Sequence, residues 1–334
     1  MSYKILSCDG GGIRGLITAL LIQDLNTRFG IIAKADAFAG TSTGGLIALG
    51  LAAGKDICDI VDIYRNDGEK IFEKNGWLLE AERVQGPPPE SAGEMRSGPG
   101  VFSCQYKNDG LKKIAKKLLG NQKLSNIQEL IVVNSARLWD GNSWVPAALT
   151  NASGSDYADV LLRDAALATS AAPTYFPPYE IGSLGYFADG GTFANDPSMT
   201  AVGAAVADGR ASGLGDLAVL SLGTGLSPQG IPPSAISKPL NWGVNHWLWP
   251  ASADGGKVPA TALLNLTLDL TAQLASVQAT QLLKEGYCRG NVALQSPIGL
   301  DDWRAVKELE TLTQTYLQTP DWQRVCDWVE QRWR

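Results

Sequence analysis

A serine at the centre of Gly40-Thr41-Ser42-Thr43-Gly44-Gly45 constrains this chain more than any other feature. Glycine-X-serine-X-glycine is the pattern of a sharp strand-to-helix turn that lifts one hydroxyl clear of its own backbone. Gly40 and Gly44 flank it because larger residues would clash at such an elbow. The surrounding sequence supplies both elements: Ala37-Phe38-Ala39 ends an apolar strand, and Leu46 to Ala53 reads as a helix stopped by Gly54. The same order occurs once before. Lys4-Ile5-Leu6-Ser7-Cys8 reads as a strand that runs into the loop Asp9-Gly10-Gly11-Gly12-Ile13-Arg14-Gly15. A helix follows from Arg14 to Arg28, with Leu16, Ile17, Leu20, Leu21 and Leu25 at helical spacing and Gly30 as its stop. Strand, loop and helix in repetition predict an α/β fold with a mostly parallel sheet, whose ligands sit beyond the carboxyl ends of the strands. Both glycine motifs fall there.

Further along, Leu130-Ile131-Val132-Val133 and Leu217 to Leu222 read as buried strands, and Tyr186-Phe187-Ala188 as a short strand delivering Asp189-Gly190-Gly191. Helices are expected at Asn108 to Leu119, Val160 to Thr169, Met199 to Ala207 and Ala260 to Leu283, with two short ones after Asp301. In the first of these, Lys112, Lys113, Lys116 and Lys117 share one face, that of an ordinary surface helix or of one lying on a membrane. Two stretches break the pattern. Residues 76–104 hold a proline and glycine run that reads as a long exposed loop, either a flap or an inert insertion. Residues 226–260 are irregular and carry Trp242, Trp247 and Trp249 beside His246. With no linker and no repeat, residues 1–334 read as a single domain, its motifs between about 4 and 225 and a helical C-terminal part from about 260.

Composition closes off several classes. A net charge of −6 argues against nucleic acid and against electrostatic adhesion to anionic membranes, so contact with lipid would need an apolar patch. The five cysteines are scattered, without metal-ligand or redox spacing, as expected of reduced thiols in a cytoplasmic protein. The first strand begins too early to leave room for a signal peptide, and no apolar run is long enough for a transmembrane helix.

A nucleophile elbow next to a glycine loop points to acyl-transfer chemistry. Gly10, Gly11 and Gly12 can turn backbone N–H groups toward one point, where they would stabilise an oxyanion. The loop lacks the Lys-Ser/Thr of a P-loop and the spacing of a dinucleotide fingerprint, which sets phosphate binding aside. Arg14 could orient the loop, neutralise a lipid phosphate or form a structural salt bridge. The base is the harder question, because the chain has one histidine, His246, in a stretch without a strand to position it. A carboxylate with a pKa of ~4 is a poor base for a serine unless it is desolvated and held within hydrogen-bond reach. Three Asp-Gly-Gly triplets offer one. Asp9 opens the glycine loop, Asp254 lies in a plain turn, and Asp189 follows an apolar strand end. Ser42 with Asp189 is the pair expected to carry the reaction.

Five segments, 9–15, 40–45, 168–178, 189–197 and 221–225, resemble the patatin-like phospholipases, the plant patatins and their bacterial relatives, in family order. The resemblance implies a three-layer α/β/α fold like a modified α/β-hydrolase. It also implies a Ser/Asp dyad without histidine, and calcium-independent hydrolysis of phospholipid or glycerolipid acyl esters with no metal and no cofactor. Onto this chain it carries Ser42 as nucleophile, Asp189 as base, Gly10, Gly11, Gly12 and Arg14 as the oxyanion region, and Asn195 as a structural residue. The expected partner is a lipid at a membrane or micelle interface, reached by a cytoplasmic or peripheral enzyme. Alternatives are acyl transfer with the same residues, a phospholipase effector gated by a ligand, and a non-catalytic binding protein.

Overall fold

The two strand–loop–helix units lie side by side at the centre of one sheet. β1 (Tyr3–Cys8) is paired in parallel with β2 (Ala37–Thr41) on one side and β7 (Leu217–Leu222) on the other. The computed structural model describes residues 2–75, 104–236, 238–248, 257–259 and 261–334. Its sheet of eight strands runs β5 (Tyr179–Glu180), β6 (Tyr186–Asp189), β3 (Leu130–Arg137), β2, β1, β7 and β8 (Tyr287–Gly290), with β4 (Val145–Thr150) paired to β3. The centre, from β3 to β8, is parallel. The additions at β4, β5 and β6 are antiparallel.

Both faces are covered, which gives the three layers expected. Alternate side chains of each central strand enter separate cores: Leu6, Phe38, Ile131, Val133 and Leu220 pack on one face, Ile5, Ala37, Leu130, Val132 and Val219 on the other. This is the period-two division of a strand buried on both sides. The larger layer holds helices Gly15–Phe29, Thr43–Ala52, Ile57–Asn66 and Asp109–Leu119, with the C-terminal helices Val306–Tyr316 and Pro320–Arg332. The smaller holds Ser198–Ala207 and the long helix Ala262–Leu283.

The helix Asp109–Leu119 buries Leu111, Ile114 and Leu118 against the core and exposes its four lysines. The region after 260 is not helical throughout. After the long helix the chain forms β8, which extends the parallel sheet beside β7. That strand is four residues long, too short to show a period in sequence. Most of 76–104, together with Trp249 and Asp254, lies outside the described residues.

Candidate active site

The register of β3 brings the elbow and the aspartate together. β2 ends its pairing at Thr41 opposite Asn134, and the chain then turns at Ser42. β6 arrives from the opposite direction and takes the next residue of β3, Asp189 opposite Ser135. Two strands thus meet head to head along one edge, and they deliver Ser42 and Asp189 to neighbouring points of the same cavity.

Ser42 sits at φ 55° and ψ −124°. A non-glycine residue holds such a conformation only where its surroundings enforce it. Its N–H donates to Thr169 Oγ1 at 2.8 Å, and the Thr169 hydroxyl donates in turn to the Asn134 carbonyl. Its carbonyl accepts from Gly45 and Leu46 at 2.9 and 3.2 Å, which starts the helix. A side chain on Gly44 would strike the Cys8 carbonyl, and one on Gly40 would strike the Gly44 backbone, so both must be glycine for the elbow to sit this close to β1.

Asp189 is 4% exposed. Its Oδ1 accepts from the Gly191 amide at 2.7 Å. Burial pushes its carboxyl up to about 6, while hydrogen bonds from the Ser42 side chain and the Gly191 amide pull the other way. A carboxylate in that range is ionised at neutral pH and far more basic than one in water.

The glycine loop divides its labour. Gly10 donates its N–H to the Asn195 carbonyl at 3.0 Å, and its carbonyl accepts from Thr224 Oγ1 at 2.8 Å. Gly10 therefore shapes the loop and has no N–H to spare. Gly11 and Gly12 line the cavity, and among the described residues their amides have no acceptor. Gly12 has φ 58°, and a Cβ there would strike the Leu300 carbonyl. Arg14 also lines the cavity at 5% exposure, with Nε and Nη1 unpartnered among the described residues. Burial lowers its pKa, and the nearby Asp269 carboxylate raises it again.

A buried polar row, absent from the sequence reading, anchors these loops from below. Ser7 on β1, Ser221 on β7 and Arg289 on β8 are in register. Arg289 Nη1 donates to Ser221 Oγ at 2.6 Å and to Asp196 Oδ2 at 3.1 Å, while Nη2 pairs with Asp9. One guanidinium thus ties the start of the glycine loop to the segment following Asp189. Burial pushes the Asp9 carboxyl up to about 7 and Arg289 pulls it down; between two carboxylates, Arg289 keeps its proton. Asp196 also accepts from the Ser198 amide at 2.9 Å, and its neighbour Asn195 provides the carbonyl that Gly10 meets. An arginine within a short apolar run, Tyr287-Cys288-Arg289-Gly290, was the available sequence signal, but nothing in it names the partners.

The remaining cavity wall is apolar. Ile71, Phe72, Leu111, Tyr175 and Phe176 form one side, and Leu264 and Leu268 of the long helix the other. A Cβ on Gly191 would strike Leu268, so the helix is seated directly behind the Asp189 loop. His246 does not line this cavity. It stacks on Trp242, ring centroids 4.9 Å apart.

The parallel α/β sheet thus carries the serine elbow and a buried aspartate together at its strand ends. Residues 6–202 match the profile of the patatin-like phospholipase family, and the chain belongs to that family. The cGAMP-activated phospholipase of Vibrio cholerae is 29% identical over 249 residues, 70% of this chain and 67% of that one. Patatin-like protein 1 of Arabidopsis thaliana is 28% identical over 316 residues, covering 84% and 70%. Among solved structures, VipD from Legionella pneumophila is 12% identical with a TM-score of 0.39, covering 99% of this chain and 79% of that one. No helix among the described residues is long and apolar enough to cross a membrane.

Proposed function

We propose that this chain hydrolyses an acyl ester of a phospholipid through an acyl-serine intermediate formed at Ser42. The observation that carries the reading is that Thr41, just before Ser42, and Asp189 pair with consecutive residues of β3, which sets Ser42 within hydrogen-bond reach of Asp189 at the floor of an apolar cavity. Asp189 accepts the Ser42 proton as Oγ attacks the ester carbonyl. The Gly11 and Gly12 amides receive the oxyanion, each worth ~3–4 kcal/mol by analogy with such donors elsewhere. The intermediate collapses, the alcohol leaves with the proton from Asp189, and water attacks the acyl-serine with Asp189 again as base. Arg14, charged and short of partners, is suited to the phosphate of a phospholipid, and this favours phospholipids over neutral glycerolipids.

The test is hydrolysis of phosphatidylcholine vesicles and of short and long p-nitrophenyl esters in the presence of a chelator. Ser42→Ala and Asp189→Asn abolish it in this reading, and His246→Gln keeps it. An inactive but folded His246→Gln would overturn the dyad. Acyl transfer in place of hydrolysis would show as a new ester when an acceptor alcohol is added.

The names of relatives support a second reading, in which the same chemistry is gated. Three of the relatives are cGAMP-activated phospholipases. Activity that appears only on adding a cyclic dinucleotide would establish that mode here.

A further inference from the structure

The long helix Ala262–Leu283 is built inside out. The side chains it buries against the protein are mostly small: Ala262, Ala272, Ala275 and Ala279. Apart from Leu264, Leu268 and Leu283, its large ones are exposed. Leu263, Leu266, Leu270, Leu274 and Val277 are 43, 43, 52, 57 and 52% exposed. Steps of three and four residues place them in a single stripe on one face. A surface helix of a water-soluble domain has the reverse arrangement, and a contiguous exposed apolar patch marks a contact surface.

We infer that this stripe seats the protein on the surface of a phospholipid aggregate, with the helix lying in the interface. Three observations select lipid as the occupant. The first is position: the inner face of the same helix contributes Leu264 and Leu268 to the cavity that holds Ser42 and Asp189. The helix is the wall between that cavity and the outside, apolar on both sides. A lipid leaving the aggregate therefore reaches the serine past one helix, about 10 Å thick. The second is charge. Asp269 is the only charged residue in the helix, and it acts on Arg14. The positions around the stripe are Thr267, Thr271, Gln273 and Gln278. Protein partners are selected by charges and polar groups that fix register, whereas a fluid lipid surface needs none. The third is further exposed apolar surface close by. The turn Val244–Trp247 packs near the start of the helix, where Trp242 and Trp247 lie against the cluster containing Ala262, and it leaves Val244 67% and Leu248 49% exposed.

Without lysine or arginine on this face, attachment comes from apolar burial and not from attraction to anionic headgroups. It is accordingly insensitive to salt and works on zwitterionic lipid. This inference rests on the reading of the cavity as a lipid ester site, but its test does not. In the Ser42→Ala background, co-sedimentation with phosphatidylcholine vesicles reads binding alone. The expected result is binding that is unchanged between about 0.1 and about 0.5 M salt and that falls at least about tenfold in Leu266→Asn/Leu270→Asn/Leu274→Asn. In the otherwise wild-type protein, that triple variant keeps its hydrolysis of a monomeric p-nitrophenyl ester and its unfolding temperature while losing hydrolysis of vesicles. Leu270→Asp alone is the second variant, with the same direction at smaller size.

Vesicle binding that is equal in wild type and both variants overturns the inference. So does sedimentation showing a dimer that the triple variant dissolves while vesicle binding persists, which would assign the stripe to a second copy of the chain. Stripe-dependent vesicle binding by a protein that hydrolyses no ester would leave the docking surface standing and remove the catalytic reading.

Discussion

The floor and the wall of the cavity are held by different physics. The floor is polar and tied down: Ser42 by Thr169 and Asn134, Asp189 by the Gly191 amide, Gly10 by Asn195 and Thr224, and all of it by Arg289 between Asp9 and Asp196. The wall from the long helix is apolar and packed, contributing Leu264 and Leu268 inward and a leucine stripe outward. Directional bonds fix atoms to the few tenths of an ångström that acyl transfer demands. Dispersion contacts tolerate a change of shape, which suits a surface that accepts chains of differing length. The comparison teaches that a substitution in the floor should act on rate or on folding, and one in the wall on which lipid is chosen.

The largest effect belongs to Ser42→Ala, with a fall in kcat of about 10⁴-fold or more in steady-state ester hydrolysis and little change in unfolding temperature. Asp189→Asn follows closely, since the amide cannot accept the serine proton. In the unaltered protein the proposed base sets a pH limb. With Asp189 as base, it must be ionised to act, so kcat/KM should fall tenfold per unit as pH drops below about 6, well above the limb of an ordinary carboxylate. A profile flat down to pH 4 would break the assignment.

Arg289→Gln comes next and tests the floor as a scaffold. It leaves two buried carboxylates without their cation, a change that costs about 3–5 kcal/mol, read by denaturant unfolding. Arg289→Lys should recover part of this. If Arg289→Gln unfolds like wild type, the row of Ser7, Ser221 and Arg289 is not what holds the loops. Leu268→Ala tests the wall. Loss of one leucine side chain from the lining should lower kcat/KM for long acyl chains by about 10- to 200-fold and for short ones hardly at all. The smallest effect is expected of His246→Gln: unchanged hydrolysis, and a stability loss under about 1.5 kcal/mol for its stack on Trp242.

Much of the floor could be read directly. Asp9–Gly15 and Gly40–Gly45 announce themselves because tight turns and close backbone approaches admit few residue types. Asp189 was legible because a strand end followed by two glycines is a local pattern. Arg289 was not, since its partners lie on three other segments and its strand is four residues long. The division of the glycine loop into a structural Gly10 and open Gly11 and Gly12 amides was also hidden, because it depends on where the Asn195 carbonyl arrives. The long helix was visible as a helix, but not which way it faced: leucines at helical spacing normally turn inward, and here alanines do.

By itself the sequence determined the alternation of strands and helices, the two glycine turns and the presence of a single histidine, far along the chain from the serine elbow. These follow from local sterics and residue chemistry, which act over a handful of neighbours. Only the tertiary structure decided that β2 and β6 meet end to end on β3, that Arg289 joins the glycine loop to the segment after Asp189, and that the long helix lines the cavity while a stripe of its leucines faces outward. Those facts depend on register and packing between segments up to 280 residues apart, as Asp9 and Arg289 are, and no short-range pattern in the chain encodes them.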